Sequence, residues 1–138
     1  MINSFSGPYR FLSNFYPSII EYDGIEYPTA EHAYQAAKTY DTAIKRKISM
    51  LDSPGKAKRC GQDVIIRLDW EEVKVDVMED ILRIKFDNNE LFNKLVITIG
   101  EELIEGNYWG DTFWGVCNGV GQNNLGKILM KIRDQICQ

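Results

Sequence analysis

Glu31, Gln35 and Lys38 fall at i, i+4 and i+7 in the run Glu31-His32-Ala33-Tyr34-Gln35-Ala36-Ala37-Lys38. On a helix that spacing puts a carboxylate, an amide and an ammonium on one face, a set suited to activating water or holding a phosphate. Thr29 is a natural N-cap and Pro28 favours an extended entry, so the helix is expected to begin at Ala30. Ala30, Ala33 and Ala37 form an adjoining stripe small enough for close packing, and Tyr34 stands beside the polar one. The competing reading is a solvated helix edge with an intrahelical Glu–Lys pair.

A second constellation lies between Glu105 and Gly126, where Tyr108, Trp109, Gly110, Asp111, Phe113, Trp114, Gly115 and a run of Asn and Gly follow one another. A loop of about 18 residues with no clear secondary structure is uncommon in a compact domain and is usually functional or disordered. Two tryptophans argue against disorder. Asp111 is a carboxylate in aromatic surroundings, a setting that suits acid–base work, and the alternative for it is a turn or helix cap. Gly119-x-Gly121 lacks the third glycine and the preceding strand of a dinucleotide fingerprint, which excludes that fold. What survives is a glycine-rich lead into the last helix, whose free N–H groups can face a phosphate. A third segment, Gly7 to Tyr16, offers Arg10 and Asn14 as donors and Phe11, Phe15 or Tyr16 as stacking faces, or simply aromatics that close the core.

The elements that must position these groups can be read in outline. Asp23-Gly24 between Ile19–Glu21 and Ile25–Tyr27 signals a hairpin. Asp41 is expected to cap a helix through Met50, and Ser53-Pro54 a short one ending near Gly61. Val64–Arg67 reads as a brief strand. Asp69 is then expected to cap a long helix with an inward stripe of Trp70, Val73, Val77, Ile81 and Ile84. Asn89 opens a helix through Leu95, Leu103–Glu105 reads as a short strand, and a last helix runs from Asn124 to Ile136 with Leu125, Ile128, Leu129 and Ile132 inward. The sum is an α+β fold, mainly α-helical, with a few short strands.

The 138 residues, 44% of them hydrophobic, fit one domain spanning 1–138. No apolar run approaches the roughly 20 residues of a membrane span, and no charged-then-apolar leader opens the chain, so a soluble cytoplasmic protein is expected. Cys60, Cys117 and Cys137 suggest neither a disulfide framework nor a zinc site, and with His32 as the single histidine no metal or other cofactor is indicated. The net charge of −4 argues against non-specific binding to a phosphate backbone. A basic cluster at Lys45, Arg46, Lys47, Lys56, Lys58 and Arg59 reads as a solvated face or as a contact for a phosphorylated ligand or nucleic acid.

Taken together, Phe11-Leu12-Ser13-Asn14-Phe15-Tyr16-Pro17, Tyr27 to Ala36, Asp69-Trp70, Met78 to Phe86, Asp111-Thr112-Phe113-Trp114-Gly115 and Asn123 to Arg133 resemble the YbiA-like, or NADAR (NAD and ADP-ribose), family. The match runs in order over nearly the whole chain. The resemblance implies an N-glycosidase acting on a ribose phosphate or ADP-ribose joined to a nitrogen heterocycle. Its substrate is then either a phosphoribosylamino-pyrimidine of riboflavin synthesis or ADP-ribosyl-guanine in nucleic acid. It places the acidic residues on Glu31 and Asp111 with Lys38, and the pocket on Arg10, Phe11, Asn14, Phe15, Tyr34, Trp109, Trp114 and Asn123. Cys117 departs from the glycine common after Trp-Gly-Val. The competing readings are a module that binds or senses NAD or ADP-ribose without hydrolysis, and a thiol hydrolase pairing Cys117 with His32.

Overall fold

The computed structural model describes residues 1–136; Cys137, one of the three cysteines, lies outside the described residues. The chain packs as two compact units, Asn14–Lys85 and residues 1–13 together with the chain from Phe86 onward.

In the first of these, Asp23 and Gly24 adopt positive φ of 51° and 80°. That is the two-residue turn whose twist suits a hairpin, and glycine takes it without strain. It joins β1 (Pro17–Tyr22) to β2 (Ile25–Thr29), antiparallel, with Ile20 opposite Tyr27 and Tyr22 opposite Ile25. Ile20, Ile25 and Tyr27 turn inward. The chain passes directly into α1 (Ala30–Ala36), whose N-cap Thr29 accepts a hydrogen bond from the His32 N–H. Every residue of α1 is buried, so its lining of small alanines serves close packing against α2, α3 and α4. α2 (Thr42–Ser49) is capped by the Asp41 carboxylate, and α3 (Pro54–Gly61) by Ser53 with proline at its first turn.

α4 (Trp70–Lys85) completes this unit and packs on α1 and β1. Its inward stripe is Trp70, Val77, Met78, Ile81, Leu82 and Lys85. Burying each of these apolar side chains is worth about 1.5–3 kcal/mol. Val73 is half-buried and Ile84 exposed: both lie to one side of the true stripe, so the expected one was rotated. Asp69 precedes the helix but does not cap it with its side chain. Its carboxylate accepts from Arg67 at 2.6 and 2.9 Å and from the Tyr40 hydroxyl, because a guanidinium two residues away outcompetes a backbone N–H. Nor is Val64–Arg67 a strand. The Arg67 N–H bonds to the Lys38 carbonyl, and no neighbouring strand extends the ladder among the described residues.

In the other unit a 3-10 helix (Gly7–Leu12) meets α5 (Asn89–Ile97), which Asn88 caps. Residue 2 threads the stretch expected as a strand at 103–105. Ile2 N–H bonds to the Glu102 carbonyl and Ile104 N–H to the Ile2 carbonyl. That is an isolated parallel bridge at Leu103 rather than a strand. β3 (Gly106–Asn107) and β4 (Val116–Cys117) pair in parallel, which gives the long loop a small sheet that composition did not reveal. α6 (Asn124–Ile136) buries Leu125, Ile128, Leu129 and Ile132 as expected. Its buried Arg133 donates to the carbonyls of Thr98 and Glu101, satisfying acceptors at and just beyond the end of α5. The chain is thus α+β and mainly helical. No helix of the described residues is long and apolar enough to cross a membrane.

Candidate active site

Around α1 the structure gathers a carboxylate, two amides and an ammonium. Glu31 is 8% exposed. Its backbone N–H donates to the Asn14 carbonyl, and its Oε1 accepts from Gln35 Nε2 at 2.9 Å. Asn14, also buried, turns its Nδ2 to the Met78 sulfur at 3.4 Å while its Oδ1 has no partner. Lys38 does not share the helical face: α1 ends at Ala36 with Ala37 as C-cap. The lysine follows in a turn closed by its N–H on the Gln35 carbonyl. It is nevertheless held close to Glu31, with its ammonium 5.7 Å from the Tyr34 ring centroid. Burial lowers its pKa, the Glu31 charge opposes that shift, and the charges of Lys58 and Lys74 reinforce it. Tyr34 itself is buried, its ring 5.2 Å from that of Trp70. Phe15 is partly exposed.

His32 shares this helix but is spoken for. Its Nε2 lies 3.0 Å from the Leu51 carbonyl, which can only accept, so Nδ1 accepts from the Thr29 hydroxyl at 2.7 Å. Burial keeps its pKa below the usual value. A histidine with both nitrogens committed is no base for a thiol, which removes the pairing with Cys117.

Around the other constellation, Asn107 is the hub. Its Nδ2 donates to Glu105 Oε2 at 3.2 Å and to the Asp111 carbonyl at 2.8 Å, and its Oδ1 accepts from the Asp111 N–H. Asp111 is half-buried, and its Oδ1 accepts from the N–H groups of Phe113 and Trp114 at 3.1 and 2.9 Å, which is the geometry of a turn. Trp114 is half-buried, edge-on to Phe113 at 4.8 Å. Trp109 is 54% exposed and meets Tyr108 edge-on. The N–H groups of Gln122, Asn123, Asn124 and Leu125 go to the carbonyls of Thr112, Gly115, Phe113 and Trp114. The start of α6 is therefore stitched to the tryptophan loop and does not offer those groups to a phosphate. Asn123 is a clip: its Nδ2 donates to the Leu103 carbonyl and its Oδ1 accepts from the Glu105 N–H.

In the N-terminal segment Arg10 is exposed, whereas Phe11 is 5% exposed and packs as core, with the Lys94 ammonium 5.9 Å from its ring. Phe11 and Asn123 thus have structural places rather than open ones. Gln35 stands beside Glu31 as its i+4 spacing indicates; Glu105 and Asn107 are not among the site residues expected from the sequence, and nothing local marked them. Among the described residues no group of three or more His, Cys, Asp or Glu side chains is arranged to hold a metal ion.

The NADAR domain family model matches residues 3–137. The chain is 39% identical to the N-glycosidase YbiA of Escherichia coli strain K12, over 96% of this chain and 85% of that one. It is 35% identical to an N-glycosidase of Nostoc punctiforme, over 94% and 86%. A riboflavin biosynthesis protein of Vibrio vulnificus is 38% identical, over 91% of this chain but 35% of its own length. The NMR structure of the E. coli protein YbiA superposes with a TM-score of 0.86 at 36% identity, covering 99% of this chain and 87% of that one. Fold and relatives together define a mainly helical α+β hydrolase of the N-glycosidase type. The chain belongs to the NADAR domain family.

Proposed function

We propose that this protein hydrolyses the C1–N bond between a ribose phosphate or ADP-ribose and a nitrogen heterocycle. Its substrate class is a phosphoribosylamino-pyrimidine or ADP-ribosyl-guanine in nucleic acid, and its setting the cytoplasm. The observation that carries the reading is Glu31, a carboxylate buried at the start of α1 and oriented by the Gln35 amide. Such a group is costly to bury and is of use where water must be activated. Breaking C1–N passes through an oxocarbenium-like state, which calls for negative charge near C1, an activated water and protonation of the leaving nitrogen.

In this reading Glu31 orients and deprotonates the water, and Lys38 keeps that carboxylate ionised or meets phosphate. Asp111, in the other unit, has one oxygen spent on its turn. Asn14 supplies a polar contact to the sugar, while Tyr34 and Phe15 supply faces for the heterocycle or exclude water. The riboflavin names among the relatives support the small-molecule class, as does the acidic net charge of −4.

The test is a chromatographic assay of wild type and Glu31→Gln against an ADP-ribosylated guanine oligonucleotide and a phosphoribosylamino-pyrimidine. Wild type is expected to release base from one of them, and the variant to lose about 10²–10⁴-fold in turnover. Full activity in the variant would refute the role of Glu31. Retained binding with no release by wild type from either would favour the sensing module instead.

A further inference from the structure

We propose that Gln35 positions the Glu31 carboxylate for reaction and that Gly61 of α3 sets where the Gln35 amide can lie; this rests on the reading of Glu31 as the residue that activates water. Gln35 lies one helical turn beyond Glu31 and is 4% exposed. Its Nε2 donates at 2.9 Å to Glu31 Oε1, which fixes the carboxylate rotamer. The other end of the same amide has no partner: Oε1 is buried without a hydrogen bond. An orphaned buried acceptor is unfavourable, and an apolar side chain of the same shape would avoid it. The one bond the amide does make is the one to the Glu31 carboxylate.

Gly61 shows how tightly its position is held. A Cβ at residue 61 would lie 1.9 Å from Gln35 Oε1, 2.8 Å from Cδ and 3.0 Å from Cβ. Gly61 is not among the residues with positive φ, so no backbone conformation requires a glycine in this last turn of α3. The Gln35 side chain does. Any larger residue at 61 must push the amide, and with it the hydrogen bond to Glu31, out of place.

The experiment measures kcat, KM and melting temperature of Gln35→Met, Gly61→Ala and the double variant beside Glu31→Gln, on whichever of the two substrates above turns over. Methionine fills the glutamine volume without the donor or the orphaned oxygen. Gln35→Met removes the orphaned oxygen but also withdraws a donor from the buried Glu31 carboxylate, two opposed effects, so it is expected to melt near the wild-type temperature with KM within about twofold. Its kcat is expected to fall about 10- to 100-fold through misplacement of the carboxylate. Gly61→Ala should also lower kcat, and the double variant should lose no more than Gln35→Met alone, the mark of two residues acting through one contact. Wild-type kcat in Gln35→Met while Glu31→Gln is inactive would overturn the inference and leave Glu31 standing. A loss of kcat that tracks lost stability would overturn it as well. Wild-type turnover in Glu31→Gln would overturn the reading of Glu31 and this inference with it.

Discussion

Asn123 offers a sharp test because binding and structure predict different readouts for the same change. Its amide holds the Leu103 carbonyl at 2.9 Å and the Glu105 N–H at 3.0 Å, its residue is 8% exposed, and its backbone sits at φ 54°. Asn123→Ala strands one buried acceptor and one partly buried donor, about 2–4 kcal/mol together. It also puts alanine in the left-handed region that asparagine tolerates, adding about 1 kcal/mol. The total of about 3–5 kcal/mol corresponds to a melting temperature lower by about 10–15 °C for a chain of this size. Asn123→Gly relieves the backbone part and should recover about 1 kcal/mol of it. Thermal and urea unfolding of the three proteins measure these differences, and KM measured well below the melting range should stay near wild type. A variant that melts within about 2 °C of wild type but binds substrate several-fold more weakly would refute the clip and restore Asn123 to the pocket.

Two further predictions concern pH. His32 is held neutral, its folded pKa below the usual 6.5, so the unfolded chain takes up its proton first and stability falls as pH drops below about 6.5. Urea midpoints between pH 7 and 5 should show that slope, and His32→Gln should flatten it; an unchanged slope would refute the assignment. Lys85 is fully buried in the last turn of α4, its ammonium 5.8 Å from the Tyr16 ring centroid, and burial lowers its pKa from 10.5 to about 7. Between those values the unfolded chain carries the extra proton, so stability rises with pH from about 7 toward 10. Above 10 the phenol of Tyr27, raised by burial from 10.0 to about 12, reverses the trend, because the unfolded chain then loses its proton first. Lys85→Met should raise the urea midpoint at pH 7 and remove the rise; a lower midpoint with the rise intact would refute this.

What was legible in the chain was what local chemistry decides. Thr29, Asp41 and Ser53 cap the helices they were expected to start, and Asp23-Gly24 makes the expected hairpin. The clustering of Glu31, Gln35 and Asn14 follows from one short helix whose Glu31 N–H bonds back to the Asn14 carbonyl. The misread parts depended on competition between distant or rival partners. Asp69 loses its capping role to Arg67 and Tyr40, and Val64–Arg67 lacks a neighbour to make it a strand. Lys38 leaves the helical face because α1 ends two residues before it. The N–H groups that opened α6 toward a phosphate are taken by carbonyls about ten residues earlier. Asn107 was invisible as a hub because what it joins, Glu105 and Asp111, meets only once the loop is closed.

The stitching of Thr112–Gly115 to Gln122–Leu125 also fixes where this chain can be lengthened. Four hydrogen bonds tie the two stretches in register, so an extra residue within either would shift the tryptophans or unwind the head of α6. Between them, Cys117 and Val120 exchange backbone hydrogen bonds across Asn118 and Gly119, both at positive φ and exposed. That tip is the natural graft point for a reporter or affinity sequence, since its chain direction reverses there without any side chain from the interior.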